Sequence, residues 1–232
     1  MKNVYTKSFK NAPPPKHISS SWAFTLAEVL ITLGIIGVVA AMTMPALVNQ
    51  TNRKQDAAKI KKFYSTMSQA VLLAENEYGS AEDWSVNSAI RDDEGNITDY
   101  QPDAVLEFFN KYFAPNIKTV SIGKDTGGTA NVIFADGSVV YLTQGNCIDM
   151  DFDTNGPKKP NKLGRDRFDF LFCNKNYNET YIGKNKYFGT YLQDSSIAQG
   201  RDYLKKRCKD KGDVCSTLLL YDDWEFKKDY PW

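Results

Sequence analysis

Histidine is almost absent from the sequence. The 232 residues include one histidine, His17, and none follows it. A Ser-His or Cys-His nucleophilic pair therefore cannot form in the rest of the chain. The adjacent acids Asp222 and Asp223 precede Trp224 in a predicted turn, where carboxylates are usually solvated. We therefore predict that the protein is not an enzyme.

A strong excess of positive charge is also missing. The chain has 29 basic and 28 acidic residues and a formal net charge of +1 at pH 7. No stretch combines clustered lysine and arginine with aromatic residues, and no glycine-rich motif that could hold a phosphate is present. Nucleic-acid binding usually needs such a basic surface. The sequence therefore indicates no nucleic-acid partner.

Cysteine is scarce, and its placement is informative. The four cysteines, Cys147, Cys173, Cys208 and Cys215, form no Cys-x-x-Cys motif. All four lie in the part of the chain that we predict below to be exported, and an even number of cysteines in an exported region is typical of disulfides. Of the three possible pairings, the short spacing favours Cys208–Cys215, and hence Cys147–Cys173. A structural zinc site is the alternative, but the only histidine lies far away at position 17.

One long apolar run, residues 24–47, stands out near the start of the chain. About 20 apolar helical residues cross the hydrocarbon core of a bilayer, so we predict a single transmembrane helix. The run contains Pro45 and one acid, Glu28, which costs about 2.5–3.5 kcal/mol inside a membrane. No basic residue lies between positions 24 and 52. Glu28 therefore either sits at the headgroup level or finds its partner in another chain or a new amino terminus.

The residues before this run form a basic leader. They contain four lysines and no acid, a pattern that keeps the leader in the cytoplasm. The apolar run is too long for a secretory signal peptide, and the polarity changes between Ala23 and Phe24. Cleavage there would release an amine on Phe24, and the remaining 25 basic and 28 acidic residues would carry a formal charge of −3.

The string AFTLAE at positions 23–28, followed by the apolar run and Pro45, resembles the class III signal of type IV pilins and type II secretion pseudopilins. The resemblance implies cleavage by a prepilin peptidase between Ala23 and Phe24 and N-methylation of Phe24. It also implies that Glu28 pairs with the amino terminus of a neighbouring subunit. The chain departs from the family pattern in one respect, because Ala23 stands where the family usually has glycine.

Downstream of the run, the pattern predicts an α+β fold. Apolar residues from Ala57 to Ala74 recur at three- and four-residue steps, which predicts one helix over residues 25–78 that ends at Gly79. A second helix is predicted at 102–113, opened by Pro102. Strands are predicted at 118–122, 131–135 and 138–142, around the Asp136-Gly137 turn, and at Phe168, Phe170 and Phe172.

This order, a long helix and then an antiparallel sheet, agrees with the pilin-like fold, in which the second half of the helix packs on the sheet. We therefore predict a leader at 1–23, a transmembrane or filament-core helix at 24–48 and a globular domain at 49–232. The same helix would also suit an ordinary signal-anchored protein, so the apolar stripe does not distinguish the two.

One segment suggests a metal ion. Asp151, Asp153, Asn155 and Gly156 match the opening of a calcium loop, in which oxygens at alternate positions converge on the ion. The twelfth position holds Lys162 where a bidentate glutamate is required. A turn built on hydrogen bonds from backbone amides to Asx side chains is the alternative. Apart from this calcium ion, the sequence predicts no cofactor.

The combined prediction is a structural subunit of a type IV pilus-like or type II secretion pseudopilus filament. The expected partners are the prepilin peptidase, other pilin subunits, an inner-membrane assembly platform and, before assembly, membrane lipid. The chain would first span the inner membrane with its domain exported, and would then enter a periplasmic or extracellular filament. The alternative is a monomeric, signal-anchored exported binding domain.

Overall fold

The structure is a computed structural model, which describes residues 25–85, 89–94 and 97–232. The predicted leader, with Ala23 and Phe24 at its cleavage site, lies outside the described residues. The chain divides into two units between Leu47 and Val48.

Helix α1 spans Leu26–Tyr78, as the apolar pattern predicted. Thr25 precedes it, and Pro45 lies inside it. The helix ends at Gly79, whose φ of +81° is a left-handed conformation that glycine adopts without a steric penalty. The Gly79 N–H donates to the Glu75 carbonyl at 3.0 Å, which satisfies one of the last carbonyls of the helix.

The second unit adds a hairpin, a six-stranded sheet and five short helices among the described residues. In chain order these elements are β1 (Ala89–Arg91), β2 (Ile97–Tyr100), α2 (Pro102–Tyr112), β3 (Ser121–Lys124), β4 (Ala130–Ile133), β5 (Val139–Gln144), β6 (Ile148–Asp153), β7 (Arg167–Phe172), α3 (Asn178–Tyr181), β8 (Phe188–Thr190), α4 (Gln193–Ile197), α5 (Arg201–Lys211) and α6 (Cys215–Tyr221). Strands β1 and β2 form the separate hairpin.

The large sheet has the strand order β3-β4-β5-β6-β7-β8, and every neighbouring pair is antiparallel. Phe152 lies opposite both Val140 and Phe168, so apolar residues meet across three adjacent strands. A long helix together with an antiparallel sheet confirms the predicted α+β class.

The second half of α1 packs into the core of this unit. Phe63 is 4% exposed, and its ring centroid lies 4.3 Å from that of Phe152 and 5.0 Å from that of Phe170. The predicted stripe is confirmed at its buried positions, which are Ala57, Ile60, Phe63, Met67, Ala70, Val71 and Ala74. The three- and four-residue steps thus place one face of the helix in the core.

Some local predictions were wrong. The predicted strand at 118–122 is displaced to Ser121–Lys124. Strand β6, which contains Asp151 and Asp153, was not predicted; it forms because Ile148, Met150 and Phe152 alternate with acids and bury one face. Strand β8 and helices α3 to α6 were not predicted. Apart from α5, these elements are only three to seven residues long, and distant residues position several of them: β8 pairs with β7, and the Cys208–Cys215 disulfide joins α5 to α6.

Candidate functional site

The described chain begins with a capping box at the start of the apolar helix. The Thr25 backbone N–H and its Oγ1 hydroxyl each donate to Glu28 Oε2 at 2.8 Å. In return, the Glu28 N–H donates to Thr25 Oγ1 at 3.2 Å. This reciprocal arrangement satisfies two backbone N–H groups that the first turn of a helix leaves without partners.

The box gives Glu28 a partner inside its own chain, which the sequence analysis did not identify. The sequence does contain the capping-box pattern, because Thr25 is followed three positions later by the acid Glu28. Among the described residues, both bonds to the carboxylate end on Oε2, and Glu28 is exposed. The other oxygen can therefore accept a hydrogen bond from an external donor.

The apolar segment that follows is long and apolar enough to span a membrane or to act as a signal sequence. Its large side chains lie exposed, with Leu30 and Ile36 each more than 60% exposed. No part of this stretch is buried within the described chain. A hydrophobic surface of this size needs a cover from outside the chain, either lipid or other helices.

A basic groove lies in the second unit, with a volume of about 1110 Å³. The beginning of the buried half of α1 forms one wall, and Gly164, Arg165, residues 223–228, Tyr230 and Trp232 complete the groove. Six cationic residues line the groove, against three acids. The cationic residues are Arg53, Lys54, Lys61, Arg165, Lys227 and Lys228.

Two of these cationic side chains lie over aromatic rings of the groove. The Arg53 guanidinium lies 6.0 Å from the Phe226 ring centroid, and that of Arg165 lies 5.1 Å from the Trp232 ring. Arg53 also donates to the Trp232 backbone oxygen. These cation–π contacts hold the guanidinium groups at the surface of the groove.

Arg201 and Tyr230 hold the segment after α6 in place. Arg201 forms ion pairs with Asp222 and Asp229 at 2.7 and 2.8 Å, and the pairing lowers the pKa of the Asp229 carboxyl. The buried Tyr230 hydroxyl donates to the Gly164 carbonyl at 2.9 Å. The expectation of a solvated Asp222 was wrong, because its side chain is buried and paired with Arg201. These contacts fix the segment that forms one wall of the basic groove.

The residues of the predicted calcium loop make other contacts. Asp151 lies on β6 in an ion pair with Arg167. Asp153 Oδ1 accepts a hydrogen bond from the Asn155 N–H at 3.0 Å, which forms the alternative Asx turn. Asp166 accepts from the Lys162 N–H at 2.7 Å and from the Asn155 amide at 3.3 Å. Among the described residues, no group of three or more His, Cys, Asp or Glu could hold a metal ion.

Asp151 Oδ1 and Asn155 Oδ1 are buried and have no hydrogen-bond partner among the described residues, so these contacts satisfy only part of the set. Calcium binding at this segment stays a prediction. Asp153 is 1% exposed, and its burial raises the pKa to about 6. The nearby charges of Asp166 and Asp56 contribute to this rise in pKa, whereas hydrogen bonds from the Asn155 and Gly156 backbone oppose it. The calcium-loop pattern at 151–156 did not point to Asp166 or Asp56, because both residues lie outside it.

A second pair of acids lies on neighbouring strands. Burial raises the pKa of Asp149 to about 6 and that of Asp169 to about 7. The charges of Asp149 and Asp213 add to the effect at Asp169, whereas Arg167 opposes it. Ser216 of α6 donates to the Asp169 carbonyl at 2.6 Å, so this pair lies where α6 packs against the sheet.

The structure contains the disulfides Cys147–Cys173 and Cys208–Cys215, which are the two pairings favoured from the sequence. The first joins the start of β6 to the end of β7, and the second joins α5 to α6. Disulfides are typical of proteins that fold in an oxidising compartment.

Comparison with known proteins identifies one family. The family model described as a family of unknown function, DUF6613, matches residues 46–232. The match covers most of the chain, so the chain belongs to this family. No curated protein and no solved structure matches the chain.

Proposed function

We propose that this member of the DUF6613 family is a structural subunit of a type IV pilus-like or type II secretion pseudopilus filament. The observation that carries the proposal is the contrast within helix α1. The large apolar side chains between Leu26 and Leu47 are exposed, whereas one face of the second half of the same helix is buried against an antiparallel sheet. A filament subunit needs such a helix, because neighbouring subunits cover the apolar half after assembly.

In this proposal, a prepilin peptidase cuts between Ala23 and Phe24, and Phe24 is N-methylated. The new amine then approaches Glu28 of a neighbouring subunit. An ion pair in an apolar surrounding offsets the cost of burying both charges and sets the stagger between subunits. Both hydrogen bonds of the Thr25 capping box end on Glu28 Oε2, so the step requires the external amine to donate to the other carboxylate oxygen.

The proposed location follows from the same elements. The basic leader stays in the cytoplasm, the apolar helix spans the inner membrane, and the disulfide-bonded domain lies on the oxidising side. Partners are the prepilin peptidase, an inner-membrane assembly platform and other pilin subunits, with lipid around the helix before assembly. The role is structural and not enzymatic.

One observation favours a second candidate, a monomeric signal-anchored exported domain that binds a ligand or surface. The capping box already gives Glu28 hydrogen bonds from Thr25, so the acid at the end of the apolar segment does not require a partner from another chain. In that case the apolar segment would stay in lipid, and the basic groove would be the binding surface.

Replacement of Glu28 in the native host distinguishes these candidates. We expect Glu28→Ala to be inserted and processed normally but to be lost from the sheared filament fraction. Because this change also removes the capping box, Thr25→Val is the matched control. It keeps the carboxylate, and we expect it to retain most of the assembly. Normal filament incorporation of Glu28→Ala would contradict the proposed pairing and favour the anchored monomer.

A further inference from the structure

The basic groove has cations that its own chain does not neutralise. Among the described residues, Lys54, Lys61 and Lys228 form no ion pair, whereas Lys227 pairs with Glu225 at 2.5 Å. The floor between them is apolar and aromatic, with Ala57, Ala58, Trp224 and Phe226 in the lining. The groove therefore suits a segment that presents an apolar surface flanked by negative charge.

Such a segment lies further along the same helix. Leu72 and Leu73 are 63% and 52% exposed, so two large apolar side chains lie uncovered by the described residues. The acids Glu75 and Glu77 follow in the next turn, and Glu82 and Asp83 lie just beyond the helix. We call residues 72–77 the acidic apolar patch.

We propose that the basic groove of one copy receives the acidic apolar patch of a second copy of this chain. Leu72 and Leu73 would pack on the aromatic floor, and Glu77 would approach Lys61. The apolar contact would supply most of the association energy, and the charges would select the register. The proposal deepens the proposed function, on which it rests, by naming a contact between the domains of two subunits.

The geometry of this contact is open-ended. The groove and the patch are different surfaces of the same chain, so each copy can bind one neighbour on each side and the contact does not close into a dimer. Membrane-anchored subunits share one orientation, so their α1 helices run parallel. If Leu73 of one copy lies beside Ala58 of the next, the offset of fifteen residues along α1 corresponds to an axial stagger of about 22 Å between the two subunits.

Anionic lipid headgroups are the competing occupant, since clustered cations next to an apolar segment attract them. A headgroup would neutralise Lys54 and Lys61 but would leave Leu72 and Leu73 exposed. The second copy accounts for both surfaces, which is why we favour it.

Cysteine cross-linking of the full chain in host membranes tests the contact. We would coexpress Ala58→Cys and Leu73→Cys variants, distinguished by tags, and treat the membranes with a bifunctional maleimide. Both positions are exposed on helix α1. We expect a heterodimer that links the two tags, and no comparable product when Leu73→Cys is combined with a cysteine at exposed Lys206.

Charge reversal then tests the register. Lys61→Glu and Glu77→Lys should each reduce cross-linking by about fivefold, because each turns an attraction into a repulsion. The two reversals introduced together should restore most of it. Lys206→Glu, the same charge change on the exposed face of α5, should have no effect.

Two results would overturn the contact. One is the absence of the cross-link in membranes where the wild-type chain forms filaments, and this result would leave the proposed function intact. The other is a cross-link that neither reversal changes. If the cross-link is absent and Lys61→Glu instead weakens binding of the full chain to phosphatidylglycerol vesicles, lipid occupies the groove. If the wild-type chain forms no filaments in its own host, that result counts against the proposed function itself.

Discussion

The two halves of helix α1 have the same secondary structure but different surroundings. Leu33 and Ile35, in the first half, are each 60% exposed, whereas Ile60 and Met67, in the second half, are fully buried. Burial of one large apolar side chain contributes about 1.5–3 kcal/mol. The second half therefore gains its stability from the domain of its own chain. The first half depends on lipid or other helices for the same gain.

The largest expected effect separates these halves directly. Phe63→Ala should lower the free energy of unfolding of the domain by about 3–5 kcal/mol, because the ring packs against Phe152 and Phe170. Leu33→Ala, on the same helix, should change it by less than about 0.5 kcal/mol. Thermal unfolding followed by near-ultraviolet circular dichroism in micelles measures both. Equal destabilisation by the two variants would show that the first half also belongs to the domain core.

Disulfide removal should affect the second unit alone. Replacement of Cys147 and Cys173 by serine should cost about 3–4 kcal/mol, because the bridge closes a separation of 26 residues. The Cys208–Cys215 bridge spans only seven positions, and its loss should cost about 2–3 kcal/mol.

Denaturant unfolding of the two double-serine variants measures this difference, with protease protection of the membrane segment as the control. A change in the protection of residues 26–47 would contradict the separation of the two regions.

The next effect concerns pH. The folded-state pKa of Asp169 is raised to about 7, above its ordinary value in the unfolded chain. The folded state therefore holds the proton more tightly, and stability falls as the pH rises from about 4 to about 7. Asp169→Asn removes this penalty and should stabilise the domain by about 1–3 kcal/mol at pH 8 but have little effect at pH 4.

Unfolding curves of Asp169→Asn at the two pH values test this expectation, with exposed Asp210→Asn as the matched control. Asp149, whose pKa is raised to about 6, adds to the same trend. An equal effect of Asp169→Asn at both pH values would exclude titration of this carboxyl as the cause.

The smallest expected effect lies in the first half of the helix. Thr25→Val removes the hydroxyl of the capping box, which typically costs about 1 kcal/mol of helix stability. Amide hydrogen exchange at residues 26–29 in nanodiscs should accelerate about fivefold, because the first turn frays more often. Thr25→Ser keeps the hydroxyl and should exchange like the wild type. Faster exchange in the domain would contradict the local role of this cap.

The sequence was informative where one local pattern decides the structure. The stripe from Ala57 to Ala74 predicted the buried face of α1, Gly79 predicted its end, and Asp136-Gly137 predicted the turn between β4 and β5. The cysteine spacing favoured the two disulfides that form. Each of these features depends on residues close together in the chain or on a small number of alternatives.

Other features depend on residues that are far apart in the chain. Strand β6, which contains Asp151 and Asp153, pairs with β5 and β7, and Arg167 of β7 forms an ion pair with Asp151. Burial of Asp222 requires Arg201 from another helix. The basic groove brings together the beginning of the buried half of α1 and residues 223–232, which no local motif connects.

The central claim is that the chain is processed at the start of the apolar helix and enters a filament. Its most direct test is intact-mass and amino-terminal peptide mass spectrometry of the protein purified from its own host's membranes. We predict a chain that begins at Phe24 and is about 14 Da heavier than the unmodified sequence, because one methyl group is added to the amine. A chain that still begins at Met1 would contradict the account and favour the signal-anchored monomer.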